Sequence, residues 1–185
     1  GITGTKRADA DADVILNGQS ASDEFGDQGG VASAGDFNGD GKGDVIVGAP
    51  GDDNNSESSS GSAFIFFGGI TGTKRADADA DVILNGQSTN DAFSQYSVAS
   101  AGDFNGDGTS DVILGARNDD NNSVDNSGSA FVFFSSGAFP SINFSNTTST
   151  QSELTTQVEI PVTLSKSSSS TVTIDYTVTG TATGG

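Results

Sequence analysis

The stretch that decides the fold is Ser33–Pro50, "SAGDFNGDGKGDVIVGAP". Asp36, Asn38, Asp40 and Asp44 crowd into nine residues, and the chain then turns apolar at once. The same pattern returns at Ser100–Arg117, "SAGDFNGDGTSDVILGAR". Two acidic bends, each followed by a β-branched run, describe one structural unit used twice.

The duplication extends outward. Residues 1–20, "GITGTKRADADADVILNGQS", recur letter for letter as residues 69–88. The unit is 68 residues long over this stretch and 67 from the acidic bend onward, because "ASDEFGDQGG" is answered by the shorter "TNDAFSQYS". Loops absorb such differences. Within the unit, short apolar runs alternate with Gly, Asn, Asp and Ser clusters and show no helical period, which predicts strands. The expected strands are 31–36, 44–49, 62–67 and 81–86, with counterparts at 98–103, 111–116, 129–134 and 13–18. Four short antiparallel strands per repeat are the blade of a β-propeller. The fold class expected is all-β: a partial propeller of about two four-stranded antiparallel blades over residues 1–135, plus an incomplete β-sandwich over 141–185. Two blades do not close a ring, so the phase of the strands implies a longer array.

The second region differs in composition. It is rich in Ser and Thr, and "QVEIPVTL" (157–164) and "TVTIDYTV" (171–178) alternate with period two, as half-buried antiparallel strands do. Pro140 marks the junction.

Composition narrows function. Asp and Glu total 25 against 7 Lys and Arg, a formal charge of −18. That balance excludes nucleic acid and anionic membrane surfaces as partners and favours cations. The chain has no Cys and no His, which excludes thiolate and imidazole chemistry. Any ligand is held through oxygen. No apolar run is long enough to insert into a membrane.

Calcium takes 6–8 oxygens, so its ligands must converge over a short, sharply bent backbone. In the first bend Asp36, Asn38, Asp40 and Asp44 occupy positions 1, 3, 5 and 9, Gly41 supplies the turn, and Lys42 offers its carbonyl. In the second, Asp103, Asn105, Asp107 and Asp111 repeat the pattern with Gly108 and the carbonyl of Thr109. The reading is two calcium sites, one per bend. Neither is an EF-hand, since the twelfth residues are Val47 and Leu114 and a strand follows. The bland alternative is an Asx-rich turn without an ion. Carboxylates gathered in one turn do not suit acid–base catalysis, which needs two groups with separated pKa values in a cleft, so no enzymatic activity is expected of these residues. "DDNN" at 52–55 and 119–122 reads as solvated hairpin tips, "ADADAD" as an exposed approach to a strand, and Phe64, Phe66, Phe67, Phe131, Phe133 and Phe134 as packing residues.

Phe25-Gly26, "VASAGDFNGDG", "DVIVGAP" and "SGSAFIFFG" stand in the order and spacing of the FG-GAP repeat, which the array resembles over residues 1 to about 135. The resemblance implies propeller blades of the integrin α-subunit kind, with calcium in the D-x-N-x-D-G-x-x-D loops. The second copy departs from it at Phe93-Ser94 and at Gly115–Arg117. "INFSNTTSTQSEL" through "TVTIDYTVTGTATGG" resembles the start of a Calx-β domain. Together these imply a secreted or cell-surface adhesion module of bacterial style, with an extracellular protein or glycan as partner. The alternatives are a lectin-like glycan-binding module and a non-catalytic accessory domain of a large extracellular enzyme.

Overall fold

Short runs of Val, Ile, Phe and Ala bounded by Gly, Asp and Asn form strands throughout the computed structural model, which describes residues 4–27, 30–121, 123–136, 142–144, 162–164 and 173. The chain divides into two compact units, Gly1–Gly137 and Ala138–Gly185. The first holds α1 (Ala8–Asp11), β1 (Val14–Asn17), β2 (Val31–Gly35), β3 (Asp44–Ala49), β4 (Ser62–Phe66), β5 (Gly72–Arg75), α2 (Ala76–Asp79), β6 (Val82–Asn85), β7 (Phe93–Gly102), β8 (Asp111–Ala116) and β9 (Ser129–Phe133). In the second, β10 (Ile142–Phe144) and β11 (Val162–Leu164) form an antiparallel pair. Pro140, the expected strand at 171–178 and most of the expected sandwich lie outside the described residues.

Among the described residues the fold is all-β apart from two single helical turns. β2-β3-β4-β6 make a four-stranded antiparallel blade and β7-β8-β9 its counterpart. β3 and β8 keep their expected bounds because each starts on a buried Asp and ends on Gly-Ala. Period two then sorts each strand's side chains to opposite faces. Val47, Phe64 and Phe66 join one core with Ala49 and Ala76, against which Leu16, Phe25 and Ile70 pack. Ile46, Ala63 and Ile65 turn the other way and share a core with Phe93, Val98, Val112, Leu114 and Ala116 of the next sheet. The blades therefore stack face to face, and the shared layer holds the larger of the two clusters of buried apolar side chains. At about 25 cal/mol per Å² of apolar area, such a layer is the main stabilising term.

The structure corrects several expectations. "ADAD" forms a helical turn in both copies, and Ala76 of α2 is fully buried, so this segment is more than an exposed approach to a strand. β5 was not foreseen: "GTKR" lies parallel to β1, Val14 opposite Gly72. β7 begins at Phe93, extended by an irregular stretch before Val98. Phe134 is exposed and stacks on exposed Phe104, rings 6.3 Å apart, so it is not a core residue. Asp52 and Asp119, the first residues of the two "DDNN" tips, are fully buried. The Gln19 amide donates to Asp52 Oδ1 at 2.8 Å and the Gln87 amide to Asp119 Oδ1 at 3.1 Å, which tethers each tip to the segment after the "VILN" strand.

Gly26 and Ser94 mark a second departure with a physical answer. Both have left-handed backbone, φ 75° and 69°. Glycine adopts this freely, whereas a side chain costs on the order of 1 kcal/mol there. Ser94 recovers that cost through its hydroxyl, which donates to the Ser62 carbonyl at 2.7 Å and accepts the Ala49 N–H at 3.2 Å. The replacement of "FG" by "FS" thus adds a buried clasp between the blades.

Candidate metal centre

Both acidic bends connect the first strand of a blade to the second, β2 to β3 and β7 to β8. They lie side by side: Ser110 N–H donates to the Asp36 carbonyl at 3.0 Å, joining one bend to the other. Gly41 and Gly108 take φ 86° and 87°, the left-handed position that a side chain resists, and so make the sharp turn expected at position six.

The internal bonding is nearly the same in the two copies. Asp36 accepts the N–H groups of Asp40 and Gly41 at 2.9 and 3.0 Å, and Asp103 accepts those of Asp107 and Gly108 at 2.8 and 2.9 Å. Asn38 Oδ1 also accepts Asp40 N–H, and Asn105 Oδ1 accepts Asp107 N–H, both at 2.9 Å. Asp40 Oδ1 accepts Lys42 N–H at 2.8 Å and Asp107 Oδ1 accepts Thr109 N–H at 2.9 Å. These Asx bonds fix the tight turn of the backbone in each bend.

The ninth residues do something the spacing alone did not reveal. Asp44 is buried; its Oδ2 accepts Phe37 and Asn38 N–H at 2.8 and 3.3 Å, and its Oδ1 accepts Gly68 N–H at 2.8 Å. Asp111 does the same with Phe104, Asn105 and Ser135 at 2.9, 3.2 and 2.9 Å. Each therefore ties its bend to the strand after β4 or β9. A carboxylate offers about four acceptor positions, so one on Oδ1 remains for another donor or a cation.

The copies differ at position seven. Lys42 Nζ pairs with Asp40 Oδ2 at 2.9 Å, and this contact holds the Asp40 carboxyl below the usual carboxylate range and the Lys42 ammonium above its own. Both groups are solvent-exposed, so the pair adds little stability. In the second bend the Thr109 hydroxyl bonds to Asp107 and to the Ser135 hydroxyl.

The structure thus gathers Asp36, Asn38 and Asp40 in one turn and Asp103, Asn105 and Asp107 in another, with Asp44 and Asp111 anchored beneath. Among the described residues no three acidic side chains are drawn together closely enough to form a ready-made metal cluster. The donor set is nevertheless the right chemistry for a hard cation, being all oxygen and rich in carboxylate. The carbonyls of Lys42 and Thr109 belong to the same turns.

The two repeats are also seen from outside. The FG-GAP repeat model matches residues 28–66 and 94–133. The chain is 33% identical over 105 residues to phosphatidylinositol-glycan-specific phospholipase D of Bos taurus, covering 55% of this chain and 12% of that protein. It is 32% identical over 110 residues to the protein of the same name from Rattus norvegicus, covering 57% and 13%. The chain therefore spans about an eighth of the length of these relatives.

Proposed function

We propose that the repeat unit is a calcium-stabilised structural and adhesion module of a secreted or cell-surface protein, in which one Ca²⁺ per bend fixes the connection between two blade strands. The observation that supports it most is the near-identity of the two bends, Asx bond for Asx bond, although the residue at position seven differs. Asp36, Asn38, Asp40, Asp44 and the Lys42 carbonyl would hold one ion; Asp103, Asn105, Asp107, Asp111 and the Thr109 carbonyl would hold the other. Bound calcium offsets the mutual repulsion of these carboxylates, and because the unfolded chain lacks the turn, it stabilises the fold by RT ln(1+[L]/Kd). In this reading the module's partner is an extracellular protein or glycan, its source is bacterial, and residues 141–185 begin a Calx-β-like sandwich.

Isothermal titration with calcium tests the proposal. The expected result is two ions per chain at Kd values around 10⁻⁴–10⁻³ M, the range of extracellular modules. Asp36→Asn and Asp103→Asn should each remove one ion, and Lys42→Thr should tighten the first site severalfold by withdrawing its ammonium. No heat of binding at several millimolar calcium would refute the reading.

The relatives favour a second reading, a non-catalytic region of a large extracellular hydrolase. An assay of the chain alone on glycolipid-anchored substrates should then show no turnover, and measurable cleavage would contradict it.

A further inference from the structure

The twenty residues 1–20 and their copy 69–88 keep different company. In the later copy, β6 lies antiparallel on β4, with Ser62 opposite Asn85 and Ile65 opposite Val82. Gly86 N–H donates to the Gly61 carbonyl at 2.7 Å, so with this register Ala63 and Ile65 turn their backbone toward β6, and Val82, Leu84 and Gly86 turn theirs toward β4. Side chains fasten both ends: Asp81 Oδ2 accepts Phe67 N–H at 2.7 Å, and Asn85 Oδ1 accepts the Ser62 hydroxyl at 2.9 Å.

In the earlier copy, Gly72 N–H donates to the Asp13 carbonyl at 3.0 Å and β1 runs parallel to β5. Asp13, Ile15 and Asn17 therefore face β5. Val14, Leu16 and Gly18, the counterparts of Val82, Leu84 and Gly86, face the opposite edge, which pairs with no strand among the described residues. β1 presents, unpaired, the edge with which its twin grips β4.

The complementary edge lies on β9. It is β4 one repeat later and pairs with β8 in the same register as β4 with β3, Phe131 opposite Leu114 and Phe64 opposite Val47. Its other edge pairs with no strand among the described residues. Every residue of β4 is buried, whereas Ala130 of β9 is exposed and its neighbours are half-buried. Beside β9 a cavity of about 240 Å³ is lined by Phe93, Ala116, Phe131 and Phe133. Around their counterparts in the first blade, Ile70, Ala76 and Ala80 complete the core. The first-copy equivalents of the two alanines, Ala8 and Ala12, are exposed.

We propose that β9 is a docking edge for a second copy of this chain, whose segment 8–18 adds β1 as a fourth antiparallel strand. The second copy's Asn17 lies opposite Ser129 and its Val14 opposite Val132, its Asp13 receives Phe134 N–H, and its Ala8 and Ala12 cover the cavity over Phe131 and Phe133. The contact is head-to-tail, so it propagates or closes into a ring. This inference rests on the repeat geometry and not on calcium.

Sedimentation of the 185-residue chain over a concentration series, in calcium and again in EDTA, tests it. The expected result is reversible, concentration-dependent association, competed by a peptide of residues 8–19 and not by its scrambled form. Ala130→Pro removes only an outward-facing N–H on an edge strand, a place where proline is tolerated. It should abolish association while leaving the monomer's Tm and circular dichroism unchanged. Ala63→Pro, the same change facing β6, should unfold the first blade. Should Ala130→Pro fail to fold, the peptide competition decides. A monomer at every concentration that does not bind the peptide, or association that survives both Ala130→Pro and the peptide, would overturn the proposal.

Discussion

The two blades are built from nearly the same sequence, yet Phe37 of the first is 7% exposed and its counterpart Phe104 in the second is 66% exposed. The strands themselves hardly differ: β3 and β8 have the same length, the same buried leading Asp and the same register with their neighbours. What differs is company. Both faces of the first blade are covered, one by the second blade and the other by Leu16, Phe25, Ile70 and Ala76. Among the described residues of the same unit, the second blade meets a neighbour on one face only. Local sequence sets the strand, and stacking sets how much each strand is worth, which is the energetics of a repeat array.

That contrast can be pressed hardest with paired core truncations. Phe64→Ala removes a ring that is fully buried against Phe25, 5.9 Å away, and should cost about 3–5 kcal/mol. Phe131→Ala removes the equivalent ring from a half-buried position beside Phe93 and should cost roughly half as much by chemical denaturation. Equal losses would mean that stacking does not govern blade stability. Ser94→Ala comes next. It removes a buried hydroxyl that bridges the Ala49 N–H and the Ser62 carbonyl, which also face each other in the β3–β4 ladder, and keeps a side chain in the left-handed region, for a loss of about 1–2 kcal/mol. Gly26→Ala at the matching position of the first blade meets only the backbone penalty and should cost about 1 kcal/mol.

The smallest effect is one in which the blades should agree. Burial pushes the carboxyl groups of Asp23 and Asp91 above the ordinary aspartate value, and the nearby charges of Asp52 and Asp53, or of Asp119 and Asp120, push the same way. An acid whose folded pKa is raised holds its proton more tightly in the native state. Stability contributed by these groups therefore falls as pH rises through the folded values, and is regained as pH drops toward 3.8. Asp23→Asn and Asp91→Asn keep an acceptor for the N–H groups of Ser20 and Ser88. Each should raise Tm slightly at neutral pH and leave it unchanged near the ordinary aspartate pKa. A thermal scan across pH checks this.

Much of the fold was legible because it is local. The apolar runs of β3, β4, β8 and β9 are bounded by turn residues, and duplication verified each boundary. What stayed hidden depends on partners far along the chain. Asp52 is buried because Gln19 reaches it from 33 residues away, and nothing in "DDNN" says so. The signal that was available is that "NGQ" and "DDNN" recur together in both repeats. In the bends, Gly41 and Gly108 announced the turn. The spacing did not show that Asp44 and Asp111 would be engaged by three N–H groups each, or that Lys42 would turn its ammonium onto Asp40, because both depend on how the bend sits against the strand that follows.

Calcium binding to the folded bends is most directly tested by thermal unfolding of the chain in EDTA and in about 10 mM calcium, with magnesium as control. With Kd values of 10⁻⁴–10⁻³ M, two sites add about 3–5 kcal/mol and raise Tm by roughly 5–15 °C. Replacing both Asp36 and Asp103 with Asn should erase the shift. Superimposable melting curves of the unmodified chain in EDTA and calcium would contradict the account.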